Sequence, residues 1–126
     1  MYIFQAKGHK NISCSHANTL EITKDNEITK QGHCIIACKA NFELKKIKPL
    51  LNKPIIKLTI KTQNHKETIE FTPNPKFNDD KEIVIRRSNV ITERTLGINA
   101  NKTSKTLNSK IKEDLKKEDI IEIIIQ

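Results

Sequence analysis

The chain has 126 residues, of which 36% are hydrophobic and 30% are charged. This composition, which includes no long apolar run, fits one soluble globular domain over residues 1–126 and excludes a membrane-spanning or wholly disordered protein. With 23 basic against 15 acidic residues, the formal net charge is +8, which favours polyanions or phosphorylated small molecules as partners.

Short runs of alternating apolar and polar residues predict half-buried β-strands along most of the chain. Two other runs, at residues 33–39 and 120–125, are almost continuously apolar and predict central strands that are buried on both faces. The apolar positions of the alternating runs are, in chain order, Tyr2, Phe4 and Ala6; Leu20 and Ile22; Ile56, Leu58 and Ile60; Ile69 and Phe71; and Ile83 and Ile85.

Two segments have the three- and four-residue spacing of a helix. Residues 42–51 predict a short or irregular helix, because Pro49 interrupts the pattern, and residues 103–116 predict a clearer one. Asn64 predicts a hairpin loop, in which His65 is interpreted as an ordinary turn residue. We therefore predict a mainly β fold, arranged as a jelly-roll-like β-sandwich with two short helices.

The three cysteines are too few, and odd in number, for a disulfide framework. The N-terminus also lacks the basic and apolar regions of a signal peptide, so we expect a reducing, cytoplasmic location. Cys34 and Cys38 are interpreted as small buried side chains. Cys14 lies in a loop with two histidines and is the better candidate for a reactive thiol.

The loop between the first two strands and the strand that follows it carry a polar cluster. His9 and His16 are candidate acid/base groups or metal ligands, with Glu21 as the base or a third ligand, which is a donor set that metal sites use. The alternative is that loop histidines and a strand glutamate are ordinary surface residues. Two histidines separated by six residues match no recognised ligand spacing.

A second polar cluster follows the strand that contains Ile83 and Ile85. Arg87, Ser88, Arg94 and Lys102 are candidates to bind a phosphate or carboxylate, because guanidinium groups give fork-like hydrogen bonds to such anions. The alternative is an internal salt bridge to Glu21 or Asp25.

Motifs along nearly the whole chain resemble an archaeal family known only as domain of unknown function 371. The matching residues are Gly8-His9, Asn11-Ile12, His16, the run 19–25, Gly32, Cys34-Ile35, Arg87-Ser88, the run 94–96, Ala100 and Lys102. In that family an aspartate usually follows the glycine, where this chain has His33. The resemblance implies a jelly-roll-like β-sandwich and an archaeal cytoplasmic setting, and it implies no activity. It places these residues on the family's polar motif positions: His9, Asn11, His16, Glu21, Lys24, Asp25, Arg87, Ser88, Arg94 and Lys102.

The leading hypothesis is a site that binds, or acts on, a small phosphorylated or otherwise anionic ligand. Arg87, Arg94 and Lys102 would hold the anion, and the two loop histidines with Glu21 would transfer a proton or bind a divalent metal. The alternative is a non-catalytic RNA- or DNA-binding module that uses the lysine-rich residues 39–66, within a stretch 39–68 that carries eight lysines and two glutamates. A scaffold or a subunit of a larger assembly is a third reading. No membrane partner is expected.

Overall fold

A computed structural model describes residues 1–126 and contains eight strands and two short helices. Helix α1 (Leu44–Ile47) continues into a 3-10 turn at Lys48–Leu50, and α2 (Ser109–Leu115) follows a 3-10 turn at Ser104–Thr106. The mainly β prediction is confirmed, whereas the jelly-roll arrangement stays a prediction. The strands are β1 (Tyr2–Lys7), β2 (Thr19–Thr23), β3 (Ile35–Ala37), β4 (Ile56–Lys61), β5 (Lys66–Pro73), β6 (Glu82–Arg86), β7 (Thr95–Ile98) and β8 (Ile120–Ile125).

The strands form one mixed sheet in the order β1-β8-β4-β5-β7-β6-β2-β3. The first four strands of this order pair antiparallel throughout. In the other four, β6 pairs parallel with β7, and β2 pairs parallel with β3. Within the strand order, the two halves are joined where Thr72 and Pro73 of β5 pair with Ile98 and Gly97 of β7.

The two ends of the strand order meet at one point. The backbone N–H of Lys7 donates to the Cys38 carbonyl at 2.8 Å, and the reciprocal bond is 2.9 Å long. Nearby, the Asn41 side chain accepts the backbone N–H of Gln5 at 2.8 Å. The free edge of β1 is therefore covered by the segment that follows β3.

A single cluster of 30 buried residues forms the core. Every alternating apolar position predicted from the sequence is buried except Tyr2, which is half-buried against the cluster. Phe71 fills the space over Gly97, where a Cβ would lie 1.9 Å from its ring. No helix in the structure combines the length and apolar character needed to cross a membrane.

Two expectations about strands were wrong. The run 33–39 gives only the three residues of β3, which ends the strand order and is not central. β8 is central, but Ile120 is 58% exposed and Ile124 is half-buried, because one face of this half of the sheet is open to solvent. The sequence reading also did not predict β7, which the alternation test misses because it has four residues and includes Gly97.

Candidate functional site

The loop between β1 and β2 is fixed to the C-terminal end of α2. The backbone N–H groups of Gly8 and His9 donate to the carbonyls of Asp119, at 3.1 Å, and Leu115, at 2.9 Å. Position 8 requires a residue without a side chain, because a Cβ there would lie 2.1 Å from the Lys117 carbonyl oxygen. This close approach sets the position of the histidine that follows.

His9 is oriented as a hydrogen-bond donor. The residue is 6% exposed, and its Nδ1 accepts the backbone N–H of Asn11 at 3.0 Å. The proton of the neutral ring is therefore on Nε2, which donates to Glu27 Oε2 at 3.1 Å. The Asn11 side chain donates to the Ile28 carbonyl at 2.8 Å and so fastens the loop. In this arrangement the ring presents a proton to an acceptor and has no free lone pair for a metal or a substrate proton.

A pocket of about 250 Å³ lies beside this ring, and we call it the His9 pocket. None of the three lysines in its wall forms an ion pair, whereas one of its two glutamates is bound to His9. The wall therefore carries three unpaired lysines against two glutamates, Glu27 and Glu118, beside a buried N–H donor. The charged residues of its wall are Lys7, Lys10, Lys39, Glu27 and Glu118.

His16 is fixed in the same way, outside the His9 pocket. Its Nδ1 accepts the backbone N–H of Asn18 at 3.1 Å, so its Nε2 also carries the proton of the neutral ring. Its backbone N–H donates to the His33 carbonyl at 3.2 Å, and its carbonyl accepts from Lys105 at 3.0 Å. His33 Nδ1 lies 3.2 Å from Ser15 Oγ. The backbone of His16 is thus held beside a small polar cluster formed by Ser13, Ser15 and His33.

Glu21 and Glu82 share one guanidinium nitrogen. Arg94 Nη1 lies 3.0 Å from an oxygen of each carboxylate. Only 7% of the Glu21 side chain is exposed. Burial, together with the neighbouring Glu82, raises the pKa of Glu21 to about 7, because these two effects outweigh the attraction of Arg94. The internal salt bridge considered from the sequence is therefore the contact that Arg94 makes.

Two of the three cations predicted to hold an anion are already paired with carboxylates. Lys102 Nζ lies 2.9 Å from Glu67 Oε2, and Arg94 is bound as described above. Arg87 is exposed and forms no ion pair. The Ser88 hydroxyl accepts the backbone N–H two residues further on at 3.4 Å. Most of the predicted anion-binding groups are therefore already bound to other groups of the protein.

Lys24 and Asp25, which were also predicted to bind the ligand, connect the end of β2 to the segment before β6. Lys24 Nζ is 3.2 Å from Asp80 Oδ1 and 4.5 Å from the centroid of the Phe42 ring, a cation–π contact. Asp25 Oδ1 is 3.1 Å from Lys81 Nζ. Both residues therefore act as cross-links in this structure.

The candidate metal ligands are not brought together. The structure contains no group of three or more His, Cys, Asp or Glu side chains that could hold a metal ion. The physical reason is that a backbone N–H occupies Nδ1 of both His9 and His16, while Arg94 holds Glu21. The three residues are therefore not gathered into one site, and the metal interpretation stays a prediction.

The cysteines do not include a reactive thiol of the kind expected. All three are free, and Cys14 is 1% exposed. Burial raises the pKa of the Cys14 thiol to about 11, which opposes formation of the nucleophilic thiolate. Cys38 is buried and Cys34 is half-buried, and burial raises both of their pKa values as well.

His65 makes a contact that the sequence did not reveal. Its Nδ1 lies 2.8 Å from Asp114 Oδ2 on α2, so it is more than the turn residue it was interpreted to be. The two residues are 49 positions apart, and nothing in the local sequence links them. The lysines of the His9 pocket were also missed, although Lys7 and Lys10 flank the Gly8-His9 motif.

The fold and its fastened polar loop define a mainly β domain with a small basic pocket. Residues 4–126 match the family described as Domain of unknown function (DUF371), and the chain belongs to that family. An uncharacterised protein of the archaeon Methanocaldococcus jannaschii is 42% identical over 133 residues, which cover 98% of each chain. The family resemblance predicted from the sequence motifs is confirmed.

Proposed function

We propose that the protein binds a small phosphorylated or otherwise anionic ligand in the His9 pocket. The observation that carries the proposal is a buried Nε2–H donor surrounded by three lysines without ion-pair partners. The wall carries three lysines against two carboxylates, so a positive charge remains for an anion, whose oxygens can accept from His9 Nε2 and from the lysines. In this proposal the anion binds in the His9 pocket and not at Arg94 and Lys102, which the sequence analysis had assigned to it.

Glu27 supports this proposal because its carboxylate already occupies an anion position. It accepts from His9 Nε2, yet 83% of its side chain is exposed. The contact is a hydrogen bond from a neutral ring, and because the carboxylate is mostly in solvent, a ligand oxygen can replace it while Glu27 stays hydrated. Glu27 would then turn outward into solvent, and the three lysines would contact the remaining ligand oxygens.

The proposal is one of binding and not of acid–base catalysis. Because a backbone N–H occupies His9 Nδ1, the neutral ring offers a proton and no lone pair. The structure therefore supports recognition of an anion and assigns no reaction to it.

Titration calorimetry with pyrophosphate as the probe tests the proposal. His9→Phe keeps the ring volume but removes the donor, and we expect binding to weaken by at least about tenfold, since a hydrogen bond to a charged group contributes about 1.5–3 kcal/mol. Glu27→Gln should strengthen binding, because the competing carboxylate charge is removed. If His9→Phe does not fold, Lys39→Gln, at an exposed position of the pocket wall, serves instead.

His33→Phe and Lys53→Gln are the matched controls, because both residues are exposed and lie outside the pocket. Both should bind the probe as the unmodified protein does. Equal binding by His9→Phe, Lys39→Gln and these controls would contradict the proposal, as would the absence of any binding.

A further inference from the structure

His65 is the one histidine that donates through Nδ1 to a half-buried carboxylate. Nδ1 lies 2.8 Å from Asp114 Oδ2, and the Asp114 side chain is 12% exposed. The Thr62 hydroxyl donates to the same oxygen at 2.6 Å, and Lys117 Nζ lies 3.5 Å from the other oxygen. These contacts lower the pKa of Asp114, so it is ionised at neutral pH and accepts hydrogen bonds only.

The proton arrangement of His65 is therefore the reverse of that in His9 and His16. Since Asp114 accepts, Nδ1 carries the proton, and the lone pair of the neutral ring is on Nε2. Nε2 has no hydrogen-bond partner in the protein, and 37% of the side chain is exposed. A fixed ring with an accessible Nε2 lone pair, oriented by a carboxylate, is the arrangement of an activated imidazole.

The charges around the ring select the kind of molecule that can react with it. His65 lines a surface depression of about 250 Å³ together with Lys61 and Lys66, which are register partners on β4 and β5. Neither lysine forms an ion pair. Two unpaired lysines beside an unprotonated nitrogen favour an electrophile with negative charge, and a phosphoryl group meets this condition.

We propose that His65 is a nucleophile that accepts a phosphoryl group from a small acyl phosphate. The Nε2 lone pair attacks phosphorus and forms a P–N bond, while the P–O bond to the acyl group breaks. The leaving group departs as a carboxylate with that electron pair, so no proton is transferred. Asp114 keeps its hydrogen bond to Nδ1 and balances the positive charge that develops on the ring. This proposal does not depend on the His9 pocket.

The test is incubation of the full chain with acetyl phosphate at neutral pH. Phosphorus NMR and peptide mapping would locate the product, and acyl transfer to lysines releases free phosphate and leaves no phosphorus on the protein. We expect one phosphoryl group on Nε2 of His65, and none on Nδ1, which is occupied by Asp114. His65→Gln should abolish this signal, whereas His33→Gln, which removes another exposed histidine, should leave it unchanged.

Asp114→Asn should slow the reaction by at least about tenfold, because it removes the charge that orients the ring and stabilises it once it is positive. If this variant does not fold, the position of the phosphoryl group in the unmodified protein decides the question. Labelling on Nδ1, an unchanged signal in His65→Gln, or no labelling at all would overturn the proposal.

Discussion

Glu21 shows that a short ion pair does not by itself determine the charge state of a buried side chain. Arg94 is 3.0 Å away, yet 45% of the arginine side chain is exposed, while the carboxylate is almost completely buried. The cost of removing the carboxylate from water, increased by the nearby Glu82, exceeds the attraction of a cation that solvent partly screens. Glu21 therefore takes up a proton near neutral pH.

This proton uptake makes the stability of the protein depend on pH. An isolated glutamate has a pKa near 4.5, and that of folded Glu21 is about 7, so between these values the folded state binds a proton that the unfolded state lacks. The contribution of Glu21 to stability is thus complete below pH 4.5 and is lost as the pH rises to 7. This loss amounts to at most about 1.4 kcal/mol of unfolding free energy per pH unit, and Glu21→Gln should remove it. Urea denaturation at several pH values measures the unfolding free energy of both proteins and so its dependence on pH.

Glu70→Gln is the matched control, because Glu70 is exposed and pairs with a lysine across the β4–β5 ladder. Its difference in unfolding free energy from the unmodified protein should be nearly constant between pH 4.5 and 7. A constant difference for Glu21→Gln as well would contradict the assigned proton uptake.

Gly8 is the second position where a single residue decides the local structure. Gly8→Ala would place a Cβ against two backbone carbonyls at the end of α2, neither of which can rotate away. We expect a loss of about 1–3 kcal/mol in unfolding free energy and weaker binding in the His9 pocket. Gly32→Ala is the control, because its Cβ would meet only side-chain and backbone atoms at 3.1 Å or more. Thermal denaturation of the two variants should differ clearly, and equal melting temperatures would argue against this role of Gly8.

Among the elements, α2 is short and depends on its cap and on its buried face. The Asn108 side chain accepts the backbone N–H of Lys110 at 2.8 Å, and Ile111 and Leu115 are buried in the core. Asn108→Ala should lower the unfolding free energy by about 0.5–2 kcal/mol, whereas Asn108→Ser should keep most of it. Chemical denaturation measures both variants, and equal losses would show that the cap does not stabilise the helix.

The strands were largely predictable because alternation reports burial directly. All five alternating runs and both helical segments correspond to elements of the fold. The parallel pairing of β2 with β3 and the position of β3 were not predictable, because strand partners depend on contacts between distant parts of the chain. β7 was missed because four residues are too few for a period to be recognised.

Of the His9 pocket, the sequence predicted only His9, and it predicted none of the contacts of the other candidate residues. Polar motif positions identified His9, Glu21 and Arg94, but their partners come from other segments. Glu27 reaches His9 from 18 residues away, and Arg94 reaches Glu21 from 73. A local pattern carries no information about such pairs, so the choice between an anion site and an internal salt bridge required the structure.

For the whole molecule, the net charge of +8 makes salt dependence the measurement that separates the two classes of ligand. A small anion in the His9 pocket contacts few cations, so its affinity should fall weakly with salt. Binding of RNA along residues 39–66 would replace several counterions and make the affinity fall steeply. We expect the weak dependence with pyrophosphate in a titration from low to physiological salt. A steep dependence, with tight RNA binding, would favour the nucleic-acid alternative.

The strand order also constrains how the chain can fold while it is being synthesised. β8 lies between β1 and β4, and Tyr2 pairs with Ile125. A ribosome adds about 5–20 residues per second, so β1 is available several seconds before the strand that it pairs with. The β4–β5 hairpin can form in that interval, but β1, which carries Phe4 and Ala6, has no partner strand until β8 has been synthesised. The protein can therefore close its core only after β8 has left the ribosome, in a late step that pairs β8 with β1.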